Sequence, residues 1–172
     1  MLTEIGYYRT LVTTSAAYTR FAGDSTGYRV RDFGDHTLVE LGIMQNHGTR
    51  SAVGGTLVLG ADANGSRYGA RVRYRRWLTP DGLSVDLSTG IISGTFRQFN
   101  RTAILSTDVA LNFADYGALV ARMEAAHAQR RTPTALSGGV RLGSKPGLIA
   151  TIIAAIASLL AIVALMSLFA NE

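Results

Sequence analysis

Apolar and polar residues alternate along most of the chain between residues 37 and 144, with a period of two residues. The segment RYGARVRYRRWL sets aromatic and aliphatic residues on one face and a row of arginines on the other, namely Arg71, Arg73 and Arg75. LSVDLSTGI and LSTDVALNF alternate in the same way, with Asp86 and Asp108 on their polar faces. A strict period of two predicts half-buried antiparallel strands.

Turn-forming sequences divide this region into seven predicted strands. Ala63-Asn64-Gly65-Ser66 favours a tight hairpin, because Asn-Gly accepts the positive φ of a primed turn. Residues 116–127 contain strong helix formers, so that segment is predicted as a strand or a helix. The strands are expected at about 37–45, 51–61, 67–78, 83–93, 102–113, 116–127 and 134–143.

The resulting fold class is mainly β: an antiparallel meander, either a sandwich or a small open or closed barrel, followed by a single C-terminal transmembrane helix. Residues 1–36 are predicted as a partly irregular N-terminal extension, with one further strand near 26–33. Residues 37–144 form the β domain, and residues 147–170 the helix.

The helix is predicted from 23 consecutive residues, 148–170, that include no charge and no proline. Such a helix is about 34 Å long, enough to cross a hydrocarbon core of about 30 Å. Arg141 and Lys145 flank it on the N-terminal side, and no cation follows it. The positive-inside tendency then predicts a single-pass protein of the inner membrane, with the N-terminal domain in the cytoplasm and the C-terminus across the membrane.

Small residues recur along this segment at steps of three and four, which places them on one face of a helix. They are interpreted as a surface for packing against the transmembrane helices of other subunits, since small residues let helix backbones approach closely in lipid. A chance pattern of abundant alanine is the alternative. The predicted interface is Gly147, Ala150, Ala154, Ala157, Ala161, Ala164 and Ser167.

The net charge of +5 favours an anionic partner, and Arg71, Arg73 and Arg75 are the candidate contact. Lipid headgroups and an acidic protein surface fit this row, whereas no motif supports nucleic acid. The alternative is a solvated or mutually paired polar face, to which Asp86 contributes across neighbouring strands.

No residue pattern indicates catalysis or a cofactor. The chain lacks cysteine, a nucleophile elbow and a phosphate loop, and His36, His47 and His127 are too widely spaced to indicate a metal site. No secretory signal is recognised at the N-terminus. The expectation is a protein that is not an enzyme and holds no cofactor or metal.

The order of an Asn-containing turn, a Gly-Gly strand, RYRRWL and SVDLSTG resembles small, uncharacterised β-rich bacterial membrane-associated proteins. LNFADYGALVARME and GGVRLGSKPG extend the resemblance to about 110 residues. The resemblance implies a β-rich fold and no particular function.

The leading hypothesis is a non-catalytic accessory subunit of a bacterial membrane complex, of the respiratory or photosynthetic reaction-centre and antenna type, in contact with membrane lipids and partner helices. The rival is a small outer-membrane-type β-barrel, in which Arg71, Arg73 and Asp86 pair inside and aliphatic side chains face lipid. A third reading is a tail-anchored module that binds lipid or protein.

Overall fold

The computed structural model describes residues 2–13, 16–19, 28–31, 34–62, 65–80, 82–96, 100–126 and 134–143, together with Ile149, Ile153 and Ile156. Ten strands are present in this part of the chain. They are β1 (Leu2–Thr13), β2 (Ala16–Thr19), β3 (Tyr28–Arg31), β4 (His36–Asn46), β5 (Ser51–Asp62), β6 (Gly65–Trp77), β7 (Leu83–Phe96), β8 (Asn100–Phe113), β9 (Gly117–Ala126) and β10 (Thr134–Leu142).

Eight of the strands form a closed antiparallel barrel in the order β1-β10-β9-β8-β7-β6-β5-β4, and β4 pairs with β1 to complete the ring. Each strand from β4 to β9 pairs with the one that follows it in the chain, and β10 pairs with β1. β2 and β3 pair with each other as a separate two-stranded sheet within the connection from β1 to β4.

The strands are tilted, because one circuit of the barrel returns to β4 ten residues from its starting point. With about 3.3 Å per residue and 4.8 Å between strands, this stagger corresponds to a tilt of roughly 40°. The circuit passes through directly paired residues: Asn46, Ala52, Arg75, Asp86, Ala110, Val120, Gly139, Tyr8 and His36.

Two glycines with positive φ lie at the starts of barrel strands: Gly65 is the first residue of β6, and Gly82 directly precedes β7. Gly65 has φ 138°, and its N–H donates to Asp62 Oδ1 at 3.1 Å, which closes the hairpin between β5 and β6. Gly82 has φ 97°, and its carbonyl accepts a hydrogen bond from Ala114 N–H of the neighbouring connection. A residue with a Cβ would be strained at these values of φ, whereas glycine adopts them freely and lets the chain turn tightly at both positions.

The connections differ between the two ends of the barrel. At the end where β1 starts and β10 finishes, the connections comprise residues 47–50, 78–82 and 114–116. At the opposite end they comprise residues 14–35, 63–64, 97–99 and 127–133, so the two longest connections lie there. We call these the terminal end and the far end.

The mainly β prediction is correct for the strands, but the predicted combination of a meander and a transmembrane helix is wrong. The sheet closes on itself, and β1, from the part expected to be an extension, supplies the closing strand. Among the described residues, no helix has the length and apolarity needed to cross a membrane. Of residues 147–170, only Ile149, Ile153 and Ile156 belong to the described part; they have helical backbone and exposed side chains.

Candidate functional site: the charged interior of the barrel

The inside of the barrel is lined by a row of arginines from β6. Because successive side chains of a strand point to opposite faces, every second residue of β6 points inward. Arg67, Arg71 and Arg73 are buried there, and the Arg75 side chain is 13% exposed near the terminal end. Gly69 occupies the remaining inward position of this row. A Cβ added to it would clash with the backbone of Ile91 and Ile92 on β7.

Carboxylates from six other positions point into the same space. β1, β4, β5, β7, β8 and β9 each supply one, and β9 and β10 each add an arginine, Arg122 and Arg141. Within the described residues, six buried or nearly buried carboxylates therefore face six arginines, and the formal charges balance. The carboxylates are Glu4, Glu40, Asp62, Asp86, Asp108 and Glu124.

Glu40 is the centre of the network. Its carboxylate accepts hydrogen bonds from Arg71 and Arg73, and Arg122 Nη2 lies 3.4 Å from its Oε1. Tyr8 Oη donates to the same oxygen at 3.5 Å. A carboxylate with this many donors is held in one position, because buried charges are stable only when paired and hydrogen-bonded.

Arg122 joins Glu40 to the opposite wall. Its Nη2 and Nε donate to Asp108 Oδ2 at 2.7 and 3.2 Å, and Asp108 also accepts from Arg71. The guanidinium lies 3.7 Å from the centroid of the Tyr8 ring, within the range of a cation–π interaction. Tyr8 stacks in turn on His36, with ring centroids 5.1 Å apart.

A second group of charges lies toward the terminal end. Arg73 Nη1 donates to Glu4 Oε2 at 2.6 Å, and Arg141 Nε lies 3.2 Å from the same oxygen. Arg141 Nη2 donates to Asp86 Oδ2 at 3.0 Å, and Arg75 holds Asp86 through two hydrogen bonds of 2.7 and 2.9 Å.

A third group lies toward the far end. Arg67 binds Glu124 through two parallel hydrogen bonds of 3.1 and 2.9 Å, and its Nε lies 3.1 Å from Asp62 Oδ2. This paired geometry is the strong form of an arginine–carboxylate interaction.

These side chains fill the interior. Arg67, Arg73, Arg122, Arg141 and Glu40 are each less than 2% exposed, so solvent does not reach them. The free space beside Glu4 and Arg75 amounts to about 10 Å³, close to the minimum for one water molecule. Eight strands enclose a space just wide enough for side chains, and here charged side chains occupy it.

The outer face has the opposite character. Leu57, Val72, Ile91, Leu105 and Val109, all in the barrel wall, are between 50% and 62% exposed. Exposed aromatic side chains lie near the terminal end, namely Tyr74, Phe113 and Tyr116. An apolar outside with aromatics near its edge and a polar inside is the pattern of a barrel surrounded by lipid.

Comparisons with known proteins add little to this picture. No protein family matches the sequence, and no curated protein matches it. Among solved structures, the chain is similar to one described as a KdgM porin, at 15% identity and with a TM-score of 0.28. That match covers 83% of this chain and 99% of the other. A likeness this distant adds nothing to what the barrel itself establishes.

The residues singled out from the sequence lie in different places. Arg71, Arg73 and Arg75 point into the barrel, where their contacts are carboxylates of the same chain. Arg141, expected to flank a membrane helix, also points inward. Lys145, His127 and the small residues of 147–167 lie outside the described residues. Among described residues, no three His, Asp or Glu side chains converge as metal ligands.

Sequence reasoning missed Glu4, Glu40, Arg122 and Glu124 as members of the network. A signal for them exists in the sequence: Glu40 stands between apolar neighbours in LVELG, and Arg122 and Glu124 alternate with Ala121 and Met123. Charged residues at every second position of an otherwise apolar strand indicate a polar interior when the strand belongs to a closed barrel.

The predicted accessory subunit of a respiratory or photosynthetic complex is wrong, and so is its single-pass location in the inner membrane. Both predictions assumed that the sheet is a water-exposed cytoplasmic domain held by a helix and by partner helices. The sheet instead has an apolar outside and a charged inside, so its own wall is the surface suited to lipid. The rival outer-membrane-type barrel fits these observations.

Proposed function

We propose that the chain is a small transmembrane β-barrel of the outer-membrane type that spans the bilayer with its eight barrel strands. The observation that carries the proposal is the inverted distribution of side chains, apolar outside and charged inside. In water this arrangement would leave a large apolar wall exposed, which water-soluble monomers rarely do.

The dimensions support the same proposal. The barrel strands contain 9 to 14 residues. At a tilt of roughly 40°, ten residues rise by about 25 Å, which matches the apolar band of outer-membrane barrels.

The proposed role is structural or binding rather than transport through an open channel. Among the described residues, the charged side chains contact one another and have almost no exposure, so they leave a solute no open path through the barrel. For the same reason the proposal assigns the interior no catalytic step.

We further propose that the terminal end of the barrel faces the periplasm. Outer-membrane barrels have short turns on the periplasmic side and longer loops outside. The terminal end has connections of at most five residues, so we assign it to the periplasm. The far end, with the connection that carries β2 and β3, is then the side that meets partners outside the cell.

Fractionation of cells that express the full chain tests the membrane assignment. We expect recovery in the outer membrane and a gel mobility that changes on heating, because a closed barrel resists detergent until it is boiled. Recovery in the inner membrane or the soluble fraction would contradict the proposal.

Planar-bilayer recording tests the closed interior. The wild-type barrel should give no steady conductance. Arg73→Ala combined with Glu4→Ala removes a neighbouring pair of opposite charge and should open a measurable conductance, provided heat-modifiable mobility is retained. A steady, measurable conductance of the wild-type barrel, as large as that of the double variant, would contradict a filled interior.

A further inference from the structure

We infer that the apolar C-terminal segment, residues 147–170, docks on the outer wall of this chain's own barrel, over β1 and β4. This inference depends on the barrel and not on its location in a membrane, so each can fail without the other.

The first observation is a buried side chain, Thr3, on a wall whose other described outward side chains are exposed or half-buried. Thr3 and Ile5 of β1 and Val39 and Leu41 of β4 point outward, by alternation with the inward-facing Glu4 and Glu40. Thr3 pairs with Leu41 and Ile5 with Val39, so the four side chains form one compact patch. Thr3 is only 5% exposed, and the other three are half-buried.

The neighbouring strands on either side lack this cover. Leu142 on β10, next to Ile5, is 44% exposed, and Leu57 on β5, next to Leu41, is 61% exposed. Neighbouring outward side chains leave Leu83 and Val85 of β7 half-buried, but the exposure of Thr3 is lower than at any other described outward position of the strands. A separate layer must therefore lie outside the wall over β1 and β4.

The exposures are those of the chain by itself, so the covering layer belongs to this chain. The connection with β2 and β3 is at the far end, whereas Thr3 is at the terminal end, next to the start of β1. β10 finishes at Leu142, which pairs with Ile5, so the chain leaves the barrel directly beside the patch. The residues that follow are the apolar segment.

The composition of the segment fits this surface. The patch is apolar apart from the Thr3 hydroxyl, and residues 148–170 include no charge. Ile149, Ile153 and Ile156, spaced by four and three residues, are 58%, 62% and 54% exposed, so the segment has a side that faces away from the wall. The small residues Ala150, Ala154, Ala157 and Ala161 allow the closest approach to a flat wall, and we assign the contact to them.

Disulfide trapping in the full chain tests the inference, because the chain contains no cysteine of its own. Leu41→Cys is paired in turn with Ala150→Cys, Ala154→Cys, Ala157→Cys and Ala161→Cys in the detergent-solubilised protein under mild oxidation. At least one pair should form an intramolecular disulfide at least fivefold faster than the same tail cysteine forms with Val109→Cys. Val109 is a matched control on β8, on the other side of the barrel and 50% exposed.

The exposed side of the segment supplies the second control. Ile153→Cys should form a disulfide with Leu41→Cys more slowly than the best of the four alanine positions. Equal rates with Leu41→Cys and Val109→Cys, or no disulfide at any position, would overturn the inference. Disulfides that form only between molecules would also overturn it, because they would assign the patch to a second copy.

Discussion

Glu40 is the residue on which the interior depends most, because three arginines and Tyr8 converge on its carboxylate. Glu40→Ala leaves these arginines buried with too little negative charge. Breaking a buried ion pair by removing one partner typically costs about 3–5 kcal/mol. We expect a loss of this size in the free energy of unfolding, measured by urea titration of the barrel in detergent or lipid vesicles.

Ser88 provides the control for Glu40. It is also fully buried in the barrel, but its hydroxyl has no hydrogen-bond partner in the described structure. Ser88→Ala should therefore change the free energy of unfolding by less than about 1 kcal/mol. If Glu40→Ala were as stable as Ser88→Ala, the ion pairs would not be holding the interior together.

The charges inside the barrel were only partly predictable from the sequence. Alternation correctly grouped Arg71, Arg73 and Arg75 on one face, and Asp86 was expected to oppose an arginine, as it does with Arg75. Glu4 was not predictable in the same way. Its partner Arg73 is 69 residues away, and only closure of the barrel brings β1 opposite β6.

The pairing of β1 with β10 closes the barrel, and a glycine makes this pairing compatible with a large aromatic side chain. Gly139 lies opposite Tyr8, and a Cβ added to it would clash with the Tyr7 carbonyl oxygen and lie 2.5 Å from Tyr8 Cδ1 and 3.1 Å from Tyr8 Cα. Gly139→Ala should therefore push the two strands apart. Overpacking of this kind costs about 1–3 kcal/mol, and we expect that decrease in the free energy of unfolding.

Gly55 is the matched control on β5. A Cβ at this position would meet only the Arg71 carbonyl oxygen, at 3.8 Å. Gly55→Ala should thus be neutral or stabilise by about 0.4–1 kcal/mol, because it restricts the unfolded chain. A parallel measurement in which both alanine variants lose the same stability would show that contact with Tyr7 and Tyr8 of β1 is not the cause.

Seven barrel strands were predictable to within three residues at each end, because their alternation is regular and turn sequences separate them. Residues 117–126, which also fit a helix, form β9, because β8 and β10 supply partners on both sides and override helix propensity. β1 was not predicted as a barrel strand. Its inward positions mix Leu2, Glu4, Gly6 and Tyr8, so they present no uniform polar or apolar face.

For the molecule as a whole, the sequence defined two faces of the sheet but not which face lies inside. An alternating strand has the same pattern whether its apolar face meets a protein core or lipid. The difference is decided by closure, which puts the arginine face in a space too narrow for solvent and leaves the aliphatic face outside. The long apolar C-terminal segment favoured a helical anchor, and that signal outweighed the weaker strand pattern.

The membrane assignment makes a prediction that depends on depth. Val109 is exposed on the outer wall and pairs with Ala121, in the middle of β9. In a water-soluble protein, an exposed valine can become arginine at little cost. In a bilayer, Val109→Arg should lower the free energy of unfolding by about 2–4 kcal/mol, because arginine is unfavourable near the midplane.

Gln45 supplies the comparison at the edge of the membrane. It is exposed on β4, one residue before the strand ends at Asn46, so Gln45→Arg should cost only about 0–1 kcal/mol. Both variants should be measured by urea titration in the same lipid vesicles. A bilayer makes the cost of the same charge depend on its position along the barrel. If Val109→Arg were no less stable than Gln45→Arg, the outer wall of the barrel would therefore not be in contact with hydrocarbon.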